Sequence, residues 1–162
     1  MNVKKIIIGI AVIIALGIGF LAIILSEGSY IKYVPQHENT ITCKGTAECI
    51  TGQVTRVIDG DTVIVNNIHV RFALASAPEL TDKGGIEAKN FIESLCLVGS
   101  KALVDEDDGQ TGGSYGRTVA ELYCNNKLVN SALLENNLGT IDKRFCGVSE
   151  FSNEDWAKKY GC

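Results

Sequence analysis

The sequence predicts an α+β fold: a five-stranded Greek-key barrel with three packed helices, preceded by one N-terminal transmembrane helix. Three observations predict it. Residues 53–72 form three short runs of strand character, divided by Asp59-Gly60 and Asn66-Asn67. From Gly85 the apolar spacing lengthens to three and four residues, and the whole domain then reads β-β-β-α-β-β-α-α. Ahead of all this, Ile6 to Leu25 is a run of 20 apolar residues without a charge.

The apolar run comes first in the chain. As a helix rising about 1.5 Å per residue it measures roughly 30 Å, the thickness of a bilayer core. Lys4 and Lys5 precede it and Glu27 follows, so the positive-inside rule leaves residues 1–5 in the cytoplasm and sends the rest outward. The rival reading is a cleaved signal peptide, which makes the protein secreted. A signal core is normally about 7–15 residues and ends in an A-x-A-like site, whereas Leu25-Ser26-Glu27-Gly28 offers no such site. Residues 26–42 are polar, carry Pro35 and show no period, as a linker does. Residues 43–162 form the folded domain, large enough for one core.

Within that domain Val54, Arg56 and Ile58 alternate with Thr55 and Val57. Asp59-Gly60 then marks a hairpin before Thr62-Val63-Ile64-Val65. Ile68 to Phe72 is the third strand. Its Ile68, Val70 and Phe72 share one face, and His69 and Arg71 share the other. Gly85 to Val98 has helical spacing through Ala88, Phe91, Ile92 and Leu95, stopped by Gly99. Lys101–Asp105 and Thr118–Tyr123 read as strands. Lys127–Asn137 reads as a helix with Leu128, Ala132 and Leu133 inward. Ser152 with Asp155 resembles a capping box for a last helix, closed by Gly161. This order suits a barrel with helices on its surface.

Six cysteines, at 43, 49, 96, 124, 146 and 162, all follow the apolar run. Their even number and position fit an oxidising compartment and disulfides. Of the fifteen pairings that six cysteines allow, our guess is Cys43–Cys49, Cys96–Cys124 and Cys146–Cys162. With no C-x-x-C, and with His37 and His69 out of ligand spacing, zinc is not expected. Beyond Lys5 the chain carries 13 basic against 19 acidic residues, a balance of −6. Long-range attraction of a polyanion is therefore poor, and any phosphate binding has to be local.

The residues able to carry chemistry lie in three islands. They are Asp59-Gly60-Asp61-Thr62, then Arg71 with Pro78-Glu79, then Tyr115-Gly116-Arg117. Singly each has a plain explanation: a turn, a solvated strand residue, a flexible loop. Gly109 to Ser114 lacks the G-K-[ST] of a phosphate-binding loop. In order, however, Val57-Ile58-Asp59-Gly60-Asp61-Thr62-Val63, Val70-Arg71-Phe72, Ala77-Pro78-Glu79 and Asp107 through Arg117 resemble the staphylococcal nuclease family. The likeness runs from about Gln53 to Gly139 and fades after that.

The resemblance implies an OB-type barrel and a calcium-dependent phosphodiesterase that acts on DNA, with RNA left open as a second substrate. It implies Asp61 as a metal carboxylate and Ala77 as a backbone carbonyl ligand. Glu79 would orient or deprotonate the attacking water, Arg71 and Arg117 would bracket the phosphate, and Tyr115 would contact the nucleotide. The chemistry agrees: hard Ca²⁺ takes oxygen ligands, and arginine presents a planar, permanently charged fork to phosphate oxygens. The chain also departs from the family. A second metal carboxylate is Ser76 here, which should weaken calcium binding. The loop after Glu79 is short, a lysine before the Tyr-Gly-Arg is Ser114, and no tyrosine stands near Lys143. The first alternative is a non-catalytic nucleic-acid-binding or interaction module with a degraded metal site. The second, a disulfide-stapled ectodomain, explains the cysteines but not the arginines.

Overall fold

β-Branched runs and two tight turns build the first sheet segment in the computed structural model, which describes residues 41–162. The expected transmembrane segment 6–25, residues 1–5 and nearly all of the linker lie outside the described residues. Among the described residues no helix is long and apolar enough to cross a membrane.

β1 (Cys49–Val57), β2 (Thr62–Val65) and β3 (Ile68–Phe72) form an antiparallel meander. The Asn66-Asn67 turn places Asn66 at φ 52°, a conformation asparagine tolerates better than most residues. β1 starts four residues earlier than the sequence suggested, and it does not alternate strictly. A bulge between Val54 and Arg56 shifts the register, so that Val54 and Val57 both face the core while Arg56 is exposed.

β5 (Lys101–Glu106) pairs with β1, and β6 (Thr118–Cys124) pairs with β5, both antiparallel. A parallel pairing of β3 with β6, Val70 opposite Thr118 and Phe72 opposite Ala120, closes the five strands into a barrel without free edges. Three two-residue strands complete the fold, too short to leave a period in the sequence. β7 (Lys127–Leu128) turns back on β6 through Asn125-Asn126, both at positive φ. β4 (Ala75–Ser76) pairs with β8 (Thr140–Ile141) in a ribbon outside the barrel.

Three helices cover the barrel: α1 (Gly85–Leu95), α2 (Val129–Glu135) and α3 (Asp155–Tyr160). α2 is shorter than expected because the β6–β7 hairpin claims Lys127 and Leu128, and the chain turns at Asn137 (φ 57°) before Gly139. The Ser152–Asp155 capping box does not form. Ser149 instead caps a 3₁₀ turn over Glu150–Asn153, and α3 starts after Glu154 with no side-chain cap. The core gathers Val63, Val65, Val70, Val104, Leu122, Ile92, Leu133 and Phe151, all fully buried. The three disulfides are Cys43–Cys49, Cys96–Cys124 and Cys146–Cys162, as guessed, with Cα separations of 5.8, 5.3 and 5.3 Å.

Two buried polar side chains tie helices to strands. Asn130 of α2 accepts from Leu122 N–H (2.9 Å), two residues past the last β3–β6 pair, and donates to the carbonyls of Ala73 (3.0 Å) and Ala120 (3.1 Å). It thereby fixes the segment that leads from β3 into β4. Glu121 accepts from Trp156 Nε1 of α3 (2.7 Å) and from the Tyr123 hydroxyl (2.8 Å). Burial raises the Glu121 carboxyl above its ordinary range, and those two bonds only partly offset it.

Candidate active site

The Asp59-Gly60 turn aims the first carboxylate. Asp59 accepts the Asp61 N–H at 3.0 Å, an Asx turn that opens β2. Gly60 is needed for close approach: a Cβ there would lie 2.5 Å from the Ala77 Cβ and 2.6 Å from the Ala88 Cβ. The chain behind Pro78 and the α1 surface are thus pressed against this turn.

Arg71 stands opposite Thr62 in the β2–β3 register, and so beside Asp61. Its guanidinium forms an ion pair with Asp61 Oδ1 and donates through Nη2 to Ser76 Oγ at 2.8 Å. Asp61 is only 4% exposed. Its Oδ2 accepts from Ala77 N–H at 2.6 Å and, at 3.5 Å, from Ser76 Oγ, while Thr62 Oγ1 lies 3.3 Å from Oδ1. Asp61, Arg71, Ser76 and Ala77 are therefore brought together. Burial lowers the Arg71 pKa, and the charge of Arg117 lowers it further, against Asp59, Glu79 and Asp142.

Arg117 arrives from a different element. Ser114 and Arg117 exchange backbone hydrogen bonds of 2.9 and 3.1 Å around Tyr115 and Gly116, both at positive φ. That turn lifts Tyr115 into solvent, where it is 99% exposed. Arg117 folds back so that Nε donates to the Ser114 carbonyl (3.0 Å) and Nη2 to Ser114 Oγ (3.3 Å). Ser114 therefore orients the arginine.

Arg71, Tyr115 and Arg117 line one cleft of about 350 Å³. Three of its other walls were not singled out in the sequence: Asp142, Arg144 and Phe145, from the turn after β8. The signal was there as a basic pair followed by an aromatic, Lys143-Arg144-Phe145. What the sequence could not show was the β4–β8 pairing that carries this turn to the cleft. Asp142 is held below the usual carboxylate range, first by its hydrogen bonds from the Arg144 side chain. Glu79 is exposed at the start of a turn closed by Asp82 N–H on its carbonyl (2.9 Å), and its charge reaches Arg71. It is not among the residues lining the cleft.

A resident calcium ion needs about six to eight oxygen ligands. Here Asp61, Ser76 and Ala77 form a hydrogen-bonded knot, and both Asp61 oxygens are engaged by Arg71, Thr62, Ser76 and Ala77. Among the described residues no three His, Cys, Asp or Glu side chains stand close enough to hold a metal ion. This donor set, with a single buried carboxylate already neutralised, does not fit a resident calcium ion.

A family model described as staphylococcal nuclease homologue matches residues 69–155. That stretch takes in Arg71, Glu79, Arg117 and Arg144. A protein of Bacillus anthracis described as uncharacterized is 31% identical over 104 residues, covering 58% of this chain and 48% of the relative. The chain thus spans about half the length of that curated relative.

Proposed function

Because the chain belongs to the staphylococcal nuclease homologue family, we propose that its barrel domain hydrolyses phosphodiester bonds of DNA, with RNA as a second substrate. The family's nucleases are phosphodiesterases, and membership implies a nucleic-acid substrate. The observation that carries the reading is the convergence of Arg71 and Arg117 on one cleft. Two guanidiniums of different elements, with the charge of Arg117 helping to lower the proton affinity of Arg71, form a local anion site on an acidic protein. Their planar forks suit the phosphate oxygens, and the charge added in the transition state draws them closer.

In this mechanism the phosphate displaces Asp61 from Arg71, and Arg117 closes on it from the Ser114 turn. Glu79, the exposed carboxylate nearest in sequence to the Asp61 knot, takes the proton of the attacking water. Tyr115 contacts the nucleotide. Nucleases of this family typically use Ca²⁺. Were calcium to bind here, Asp61, Ser76 and the Ala77 carbonyl would hold it beside the substrate phosphate, whose charge would make up for the ligands the protein lacks, and it would polarise that phosphate. We also propose that residues 6–25 anchor the domain in the membrane with its N-terminus inside, so that it works outside the cell. The three disulfides support that placement.

A second reading, a nucleic-acid-binding module without catalysis, is favoured by the neutralised Asp61. The two are separated by incubating the oxidised protein with single-stranded DNA and calcium. Cleavage that falls about 10²- to 10⁴-fold in Glu79→Gln supports the nuclease. Binding without cleavage under any divalent cation supports the module and ends the nuclease reading.

A further inference from the structure

The acidic balance of the chain is not spread evenly over the barrel. β5 begins at Lys101 and ends at Asp105-Glu106, and Asp107 and Asp108 follow at once. The basic end of that strand gathers other cations. Lys101 pairs with Gln53 of β1, and its carbonyl accepts from Asn125 N–H of the β6–β7 hairpin at 3.0 Å. Arg56 of β1 and Lys127 of that hairpin are exposed like Lys101. Lys89 of α1 is half-buried, 3.7 Å from Glu93.

Two aliphatic side chains project among these cations. Leu97 is 62% exposed and Val98 73%. They sit on the turn from α1 to β5, and that turn cannot withdraw them. Ser100 N–H donates to the Leu97 carbonyl (2.9 Å), and Gly99, at φ 87°, donates to the Val54 carbonyl (2.8 Å). Cys96, just before them, is bonded to Cys124. Holding two adjacent aliphatics in water is unfavourable, and a surface that covers them recovers that cost. Arg56, Lys89, Leu97 and Val98 line one groove, which shares no residue with the phosphate cleft.

Two observations select the covering surface. Cations around protruding aliphatics complement an anionic bilayer, where apolar side chains enter the interface and the charges stay among the headgroups. The second is the chain ahead of the domain. It arrives at the acidic end of β5, where Lys44 N–H donates to Asp105 Oδ2 at 3.0 Å. Residues 26–42 can extend to about 60 Å at most, against roughly 17 Å along β5. The tether is therefore long enough for the basic end to reach the surface. A tethered domain also meets that surface at high effective concentration, an advantage that a second copy or a free strand lacks.

We propose that Leu97 and Val98, flanked by Arg56, Lys101 and Lys127, dock the domain on an anionic phospholipid bilayer. The contact is reversible, adds to the anchor and uses none of the residues that line the cleft. It rests on the membrane-anchor reading above and not on catalysis.

The test follows amide hydrogen exchange of residues 97–101 in the full chain, reconstituted into vesicles of phosphatidylcholine alone or mixed with phosphatidylglycerol. Exchange is expected to be slower on the mixed vesicles. Lys101→Gln should cut that protection about fivefold, the share of one basic residue at an anionic surface. Salt that shortens the Debye length to about 3 Å should remove it. Leu97→Ser with Val98→Ser should also remove it without changing the melting temperature, since both side chains are exposed. Equal exchange on the two kinds of vesicle overturns the docking. Protection that follows the number of chains per vesicle overturns it in favour of a second copy. Protection that needs added single-stranded DNA overturns it in favour of a strand. Alkaline extraction reads the anchor separately. A chain that washes off ends the anchor reading, and exchange of the chain added to preformed vesicles then decides the docking by the same difference between lipids.

Discussion

Asn130 shows how a residue far from the chemistry sets its geometry. Its amide satisfies Leu122 N–H and holds the carbonyls of Ala73 and Ala120 in a fully buried position. Asn130→Ala leaves a buried donor without a partner and opens a small cavity, a cost of about 2–3 kcal/mol. Chemical denaturation should report that loss, and it should be larger than the loss from Ser131→Ala on the same helix. Asp59, Asp61 and Arg71 were legible in the sequence because turn chemistry and strand alternation are local, and the resemblance grouped them. The orienting role of Ser114 was not, because a serine in a glycine-rich loop gives no sign that it bonds an arginine three residues on.

At the scale of elements, the ribbon of β4 and β8 decides what reaches the cleft. β4 carries Ser76 to Arg71, and β8 delivers Asp142, Arg144 and Phe145 to the opposite wall. Both strands have two residues, so no periodicity announces them, and their pairing joins positions far apart in sequence. The Cys146–Cys162 disulfide, separated by 16 residues, then fixes the wall. Replacing both cysteines by serine should cost about 3 kcal/mol by the loop-closure argument. It should also raise KM for oligonucleotides, because the Arg144 turn loses its staple. Loss of stability with unchanged KM would confine the disulfide to a structural role.

Across the whole molecule, carboxylates with shifted pKa values shape the response to pH. The folded pKa of Glu121 is raised, chiefly by burial, above its unfolded value. Its charge is therefore a penalty at neutral pH that vanishes as pH falls through the folded pKa, and is gone below the unfolded value of about 4.3. Asp108 runs the other way. The Thr46 and Ala47 N–H groups lower its pKa, so its contribution is present above the unfolded pKa and is lost in acid. Glu121→Gln should accordingly be more stable than wild type at pH 8, with the gap closing by pH 4. A gap that widens in acid would contradict the buried charge. The barrel itself was legible, since its first three strands and the two longer helices carried their own periods, while the last helix was read from a capping box that does not form. The strand pair that closes the barrel was not, because the parallel β3–β6 pairing joins strands separated by β4, α1 and β5.

The central claim is that Arg71 and Arg117 act as one clamp on a phosphate undergoing hydrolysis. The most direct measurement is the single-turnover cleavage rate of a saturating single-stranded oligodeoxynucleotide by wild type, Arg71→Lys, Arg117→Lys and the double variant. A shared clamp predicts that each single variant is slower by about 10²- to 10³-fold, and that the double variant is little slower than either, since groups acting as a unit are not additive. Single variants that cut at the wild-type rate, or losses that multiply in full, would contradict it.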